Sequence, residues 1–150
     1  MNQRDLKTIL LVEDSSADAE MAIDALREAK LANPVVHVED GVDCIDYIYR
    51  TGRFADRDPH EGDPAVILLD IKMPRMDGLE VLKRLRDDPK RQRLPVVILS
   101  SSREESDLAR SWDLGVNAYV LKPVDVQQFF TAVQTLGHFW AVLNQRPDSI

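Results

Sequence analysis

Residues 65–82 read AVILLDIKMPRMDGLEVL, and this stretch decides the fold. It opens with five apolar residues, which is the length and composition of a buried β-strand. A polar segment beginning at Asp70 follows, and Asp77–Gly78 then opens a second apolar pattern in which leucines recur every third residue. That spacing places the leucines on one face of a helix. The stretch therefore predicts a buried strand, a loop and an amphipathic helix, in that order.

The same alternation of apolar strand and amphipathic helix runs along the whole chain. Strands are predicted at 8–12, 35–38, 65–69, 96–99 and 118–121; helices are predicted from 15 or 16 onward, at 41–50, from 77 onward, at 104–114 and at 126–143, with a loop at 51–64. The strands are continuous apolar runs, which is typical of a parallel sheet covered by helices on both faces. We therefore predict an α/β fold, a doubly wound five-stranded parallel sheet in the flavodoxin-like order 2-1-3-4-5.

Length, composition and charge favour one soluble domain. The chain has 150 residues and a formal net charge of -7, so we expect a single domain over 1–150, with a core at about 8–143 and a flexible tail at 144–150. The acidic balance argues against a nucleic-acid partner, which would need a basic face. The chain has no apolar run of roughly 20 residues and no signal-peptide pattern, so we expect a cytoplasmic protein without a membrane partner.

Chemically active side chains stand at the ends of four predicted strands. Glu13 and Asp14 follow the first strand, Asp70 follows the third, Ser100 ends the fourth and Lys122 follows the fifth. Because parallel strands share one carboxyl edge, where doubly wound sheets bind their ligands, these groups are expected to converge. Three carboxylates at close range raise one another's pKa, and a divalent cation with oxygen ligands resolves that conflict. The pattern predicts a Mg²⁺ site.

Asp70 is the candidate nucleophile of this site. An in-line attack by its carboxylate on phosphorus would give an aspartyl phosphate. Mg²⁺ would screen the attacking carboxylate from the incoming anion, while Lys122 and the hydroxyl group of Ser100 hold the phosphoryl oxygens. The residues therefore indicate phosphoryl transfer by positioning and electrostatics, without a dedicated general base.

Four segments carry a resemblance to a known family. They are ILLVED at 9–14, ILLDIKMPRMDGLEVL at 67–82, PVVILSS at 95–101 and NAYVLKP at 117–123. From about residue 8 to residue 143, the chain resembles the receiver domain of two-component response regulators. The spacing is the specific part, since Ser100, Tyr119 and Lys122 follow Asp70 by 30, 49 and 52 residues, as in receivers generally.

The resemblance assigns a role to each matching position of the site. It implies that Asp70 is the phosphoacceptor and that Lys122 is the phosphate-binding lysine. It further implies that Asp14 ligates the metal directly and Glu13 largely through water, and that the backbone carbonyl of Lys72 is another ligand. The chain would then be a phosphoacceptor whose own phosphotransfer and autodephosphorylation are its only chemistry, rather than an enzyme.

The resemblance also implies a switch. Ser100 matches the switch hydroxyl and Tyr119 matches the switch aromatic of receivers. A new phosphoryl group would draw Ser100 inward, and Tyr119 would turn into the vacated space. The surface formed by the fourth helix, the fifth strand and the last helix would change as a population shift. A sensor histidine kinase is the implied partner.

Two further features narrow the resemblance. The loop at 51–64 is long, and apolar side chains cover about half of the circumference of the last predicted helix, more than packing on one sheet face needs. We expect a symmetric homodimer through that helix and its Phe139–Trp140 pair. These features, and the absence of an output module after residue 143, resemble the small response regulators of bacterial phytochrome histidine kinases. A bacteriophytochrome is therefore the expected kinase partner.

Three alternative functions stay open at this point. A degenerate receiver would act as an interaction module independently of phosphorylation. A phosphatase of the haloacid dehalogenase type would carry a second aspartate two residues after its nucleophile, where this chain has Lys72. A flavodoxin would need a phosphate-cradling loop after the first strand, where the carboxylates of EDSSAD (13–18) would repel the phosphate of FMN.

Overall fold

Five short strands form one parallel sheet in the computed structural model, which describes residues 7–122, 127, 128 and 131. They are β1 (Ile9–Val12), β2 (Val35–Val38), β3 (Val66–Leu69), β4 (Val96–Ser100) and β5 (Ala118–Leu121). Their order in the sheet is β2-β1-β3-β4-β5. The predicted fold class and strand order are confirmed, and each strand lies within one residue of its predicted bounds.

Four helices connect the strands. They are α1 (Ser16–Glu28), α2 (Gly41–Tyr49), α3 (Gly78–Asp87) and α4 (Glu105–Asp113). Most of the last predicted helix, with the Phe139–Trp140 pair, lies outside the described residues; Gln127, Gln128 and Thr131 are helical. Within the described ranges, the helices are all too short or too polar to cross a bilayer.

The sheet buries side chains on both faces, and this explains the continuous apolar runs. Along β1, Ile9 and Leu11 lie on the face of the sheet that α1 covers. Leu10 and Val12 lie on the opposite face, which α2 and α3 cover. All four side chains are at most 1% exposed. Burying an aliphatic side chain of this size contributes about 1.5–3 kcal/mol, so a strand with polar residues on either face would not be stable here.

The first three helices begin at side-chain caps in the loops that follow the strands. Ser15, Asp40 and Asp77 accept hydrogen bonds from backbone N–H groups three residues further on, at 3.3, 2.8 and 2.9 Å. Each such cap contributes about 1 kcal/mol. The caps fix the points at which the loops from the carboxyl edge of the sheet enter the helices, and these loops carry the candidate site.

The predicted loop at 51–64 contains a one-turn 3-10 helix, Gly52–Phe54, and packs onto α2. The ring of Phe54 meets the ring of Tyr47 edge to face at 5.2 Å, and the guanidinium of Arg57 lies 4.1 Å from the centre of the Tyr47 ring. Such aromatic and cation–π contacts favour one arrangement of the segment. The sequence pattern of this segment predicted only a loop, because these contacts depend on residues of α2.

Candidate functional site

Three carboxylates lie together at the carboxyl edge of the two central strands. Glu13 and Asp14 follow β1 and Asp70 follows β3, and one oxygen of each carboxylate lies within 4.8 Å of the others. The ladder extends one residue past the strands, because the Asp70 N–H donates to the carbonyl of Val12 at 3.1 Å. Glu13 and Asp70 are buried, whereas Asp14 is exposed. The cluster therefore has an inner wall and one solvent-facing ligand.

Lys122 closes the cluster from the end of β5. Its ammonium group lies 3.2 Å from Oδ2 of Asp70 and forms a further ion pair with Glu13. The backbone holds the lysine in place, since its N–H donates to the carbonyl of Ser100 at 3.0 Å. Burial alone would lower the pKa of Lys122, but its bonds to the surrounding carboxylates outweigh burial and raise that pKa. The lysine therefore stays positively charged.

A fourth carboxylate, which the sequence pattern did not single out, also binds this lysine. Asp18 lies in the first turn of α1, and its Oδ2 accepts a hydrogen bond from the Lys122 ammonium at 2.9 Å. Its side chain is 39% exposed, so it forms the outer rim of the cluster. The signal that could have found it is the segment EDSSAD (13–18), which carries a further carboxylate shortly after the acidic pair, in the first turn of the predicted helix.

Burial gives Glu13 an unusual protonation equilibrium. It raises the pKa of this carboxyl group to about 7, and the charge of Asp70 adds to the effect, while the hydrogen bonds from Lys122 and from the Ser15 N–H oppose it. A carboxyl group that titrates near neutrality in the absence of a cation is poised to exchange its proton for a metal ion. The donor set consists of hard carboxylate oxygens, one of them solvent-facing, and it fits a small divalent cation such as Mg²⁺.

The loop after β3 orients the Asp70 carboxylate. The N–H of Ile71 donates to Oδ1 at 2.8 Å, which leaves Oδ2 directed toward Lys122. The loop folds back because the Gly78 N–H donates to the carbonyl of Ile71 at 2.8 Å. A Cβ atom at Gly78 would lie 2.1 Å from the carbonyl oxygen of Asp70, so only glycine fits there. The side chain of Lys72 points outward, with its ammonium 3.9 Å from Asp107.

Ser100 and Tyr119, the expected switch pair, lie beside the cluster and share a contact. Ser100 is 1% exposed, and its Oγ accepts a hydrogen bond from the N–H of Ser102 at 3.1 Å. The Tyr119 hydroxyl donates to the carbonyl of Ser102 at 2.9 Å. Sequence analysis did not identify Ser102, because a serine next to two others gives no distinctive signal. The structure thus brings together four predicted side chains, Glu13, Asp14, Asp70 and Lys122. The other two predicted residues, Ser100 and Tyr119, meet at Ser102.

A five-stranded doubly wound domain with an acidic cluster and a lysine at its carboxyl edge defines the class of α/β receiver modules. The chain belongs to the response regulator receiver domain family, which matches residues 9–134. Domains of this family are signalling modules that bind a divalent metal ion and are generally not enzymes. The resemblance inferred from the four sequence segments is therefore confirmed.

Three proteins show where the chain stands within the family. The structure of the bacteriophytochrome response regulator RtBRR is 52% identical, with a TM-score of 0.82 over 95% of this chain and 85% of that one. Response regulator Rcp1 from Synechocystis sp. is 34% identical over 89% of this chain and 88% of its own; the structure of its Mn²⁺-bound form gives a TM-score of 0.74 over 93% and 96% of the two chains. The phosphorylated cyanobacterial phytochrome response regulator RcpA is 37% identical, with a TM-score of 0.75 over 95% and 99%.

Proposed function

We propose that this chain is a single-domain response regulator that accepts a phosphoryl group from a sensor histidine kinase on Asp70, in a Mg²⁺-dependent reaction. The observation that carries the proposal is the placement of Asp70. One oxygen of its carboxylate is held by a backbone N–H, and the other lies 3.2 Å from the ammonium of Lys122, within a cluster of further acidic ligands. This arrangement provides a nucleophile and a counter-charge at the same point.

The proposed step is the transfer of a phosphoryl group between two acceptor atoms. Oδ2 of Asp70 forms the new bond to phosphorus while the phosphorus–nitrogen bond of the kinase phosphohistidine breaks, and the electron pair leaves with the imidazole nitrogen. The ammonium of Lys122 donates to the phosphoryl oxygens as charge shifts onto them. The backbone bond to Oδ1 keeps the carboxylate from rotating, so the attacking oxygen is already oriented.

The negative charge of the carboxylates explains why the proposed reaction needs a cation. Glu13, Asp18 and Asp70 surround a single ammonium group. Asp14 adds a further carboxylate beside Glu13 and Asp70, so an incoming phosphoryl anion meets an excess of negative charge. The proposed Mg²⁺ ligands are the carboxylates of Glu13, Asp14 and Asp70 and the backbone carbonyl of Lys72. When bound, Mg²⁺ would neutralise part of this charge and hold phosphoryl oxygens. Rcp1, which has been solved with Mn²⁺, supports a divalent cation in this family.

A phytochrome-type histidine kinase is the proposed partner. RtBRR is a bacteriophytochrome response regulator and RcpA is a cyanobacterial phytochrome response regulator, and this chain aligns with 85% or more of each. The cytoplasm, where such kinases present their phosphohistidine, is the proposed location. We further propose that Ser100 and Tyr119 transmit the modification to the surface of α4, β5 and the last helix, and that Phe139 and Trp140 form a homodimer interface.

The phosphoacceptor assignment is tested with acetyl phosphate or a phytochrome kinase as the donor. The Asp70→Asn variant should lose phosphate labelling entirely, because an amide nitrogen or oxygen cannot replace the carboxylate as nucleophile. Labelling of the wild type should also vanish when EDTA removes divalent ions. The matched control is Asp87→Asn, since Asp87 is a surface carboxylate of α3 that pairs with Lys83. Labelling of Asp70→Asn at the wild-type level would refute the proposal.

A further inference from the structure

Arg75 occupies an unusual backbone conformation in the loop that follows Asp70. Its φ is 65°, in the left-handed region, which is disfavoured for a residue with a Cβ atom and is usually taken by glycine or asparagine. Three non-glycine residues among those the structure describes have a positive φ, and only this one lies between β3 and α3. Such a conformation persists when surrounding contacts hold it, so the contacts of Arg75 are informative.

The guanidinium group of Arg75 binds two carboxylates at the start of α2. Its Nε donates to Oδ2 of Asp40 at 2.7 Å and its Nη2 donates to Oδ1 at 3.1 Å, while Nη2 also donates to Asp43 at 2.9 Å. Two-point binding of this kind fixes orientation as well as distance. Asp40 is buried, and although burial raises its pKa, the hydrogen bonds from Arg75 and from the Asp43 N–H lower the pKa overall.

A second, independent contact holds the neighbouring residue of the loop against the same helix. Gly41 is the first residue of α2, and a Cβ atom at this position would lie 2.2 Å from the carbonyl oxygen of Met76. The backbones of the loop and the helix therefore touch directly. The loop is held to α2 at two consecutive residues, one through a side chain and one through backbone contact.

The other end of the same loop holds the phosphoacceptor. The N–H of Ile71 binds Oδ1 of Asp70, and the carbonyl of Ile71 receives the N–H of Gly78. Lys72, whose carbonyl is a proposed metal ligand, lies between this anchored end and Arg75. If the contacts that fix Arg75 were lost, the loop could move. The N–H of Ile71, which orients Asp70, and the carbonyl of Lys72, the proposed metal ligand, would move with it.

We propose that Arg75 is a positioning residue for the metal and phosphoryl site, acting through its bidentate bond to Asp40. It does not touch the cluster itself. It holds the 71–77 loop against α2 so that the Asp70 carboxylate and the carbonyl of Lys72 are arranged before a cation binds. This inference rests on the proposed function, and it adds a residue outside the set that the family resemblance assigned.

The test compares two arginines of equal exposure in the full-length protein. Arg75→Asn removes the guanidinium but keeps a side chain that tolerates a positive φ. Arg84→Asn is the matched control, because the Arg84 side chain is 52% exposed against 53% for Arg75. Among the residues that the structure describes, Arg84 pairs with Glu80 on its own helix, α3. Isothermal titration with MgCl₂ should show that Arg75→Asn binds Mg²⁺ about 10-fold more weakly than the wild type does. This is the usual effect of losing a group that orients metal ligands. Arg84→Asn should match the wild type.

Amide hydrogen exchange on the metal-free protein separates positioning from general stability. We expect faster exchange at Ile71 and Gly78 in Arg75→Asn, with α1 and the sheet unchanged, and partial recovery of Mg²⁺ affinity in Arg75→Lys. Unchanged Mg²⁺ affinity in Arg75→Asn would overturn the inference, even if its melting temperature falls, because the arginine would then be only a structural tie. If the wild type itself fails to bind Mg²⁺ and to accept phosphate on Asp70, the proposed function fails as well.

Discussion

Two neighbouring parts of the carboxyl edge are built in opposite ways. Around Lys122, charge is concentrated: the lysine side chain is 11% exposed, and three carboxylates surround its ammonium group. Around Ser102, backbone groups are paired: its N–H and its carbonyl bind the hydroxyl groups of Ser100 and Tyr119. The first region responds to any change in charge, whereas the second responds only by exchanging hydrogen bonds. Chemistry is expected in the first and its readout in the second.

The largest effect is expected when the charge in the first region is removed. Lys122→Ala should slow phosphorylation by about 10²–10³-fold, because a donor aimed at the transferring group is lost. Phosphate incorporation from acetyl phosphate, followed over time at saturating Mg²⁺, measures this rate. Lys83→Ala is the control, since Lys83 forms an exposed pair with Asp87 on α3. A Lys122→Ala variant that is labelled as fast as this control would show that the concentrated charge has no catalytic role.

A smaller effect is expected from pH, through Glu13. Its pKa is raised in the folded protein, to about 7 from 4.5. Protonated Glu13 therefore stabilises the metal-free fold. This stabilisation is fully present below about pH 4.5 and is lost as the pH rises through 7. Because Mg²⁺ needs the ionised carboxylate, its affinity should increase roughly 10-fold from pH 6 to pH 8, with release of a proton. Raising the pH through 7 should therefore destabilise the metal-free fold but strengthen Mg²⁺ binding.

Calorimetric titrations with MgCl₂ at pH 6, 7 and 8 measure this linkage, and repeating them in buffers of different ionisation enthalpy counts the protons released. The Glu13→Gln variant should bind Mg²⁺ more weakly and without the pH dependence. A wild-type affinity that stays constant over this range would mean that Glu13 is already ionised before the metal binds.

The sequence pattern predicts which side chains follow the ends of the strands, but it does not predict the contacts between loops. Glu13, Asp70 and Lys122 could be placed together because parallel strands deliver whatever follows them to one edge. Asp18 was missed because its role depends on which way its side chain leaves the first turn of α1. The pair of Arg75 and Asp40 was missed for a similar reason, since it depends on a left-handed backbone conformation that arginine rarely adopts. The interface assigned to the last helix stays a prediction.

The smallest effect is expected in the second region. Tyr119→Phe removes one partly buried hydrogen bond to the carbonyl of Ser102, so the free energy of unfolding should fall by about 0.5–1.5 kcal/mol. Phosphorylation of Asp70 should proceed at nearly the wild-type rate, because the hydroxyl does not contact the carboxylate cluster. Urea unfolding and acetyl phosphate labelling of the same preparation measure both quantities. A large loss of labelling with unchanged stability would reverse the division between chemistry and readout.

The most direct test of the central claim is to locate the phosphoryl group itself. Borohydride reduces an aspartyl phosphate to homoserine and leaves ordinary carboxylates and phosphate esters unchanged, so peptide mass spectrometry of the treated, phosphorylated protein identifies the acceptor. We expect homoserine at position 70 alone, dependent on Mg²⁺ and absent without a phosphoryl donor. Homoserine at position 13, 14 or 18, or a phosphate that resists borohydride, would contradict the account.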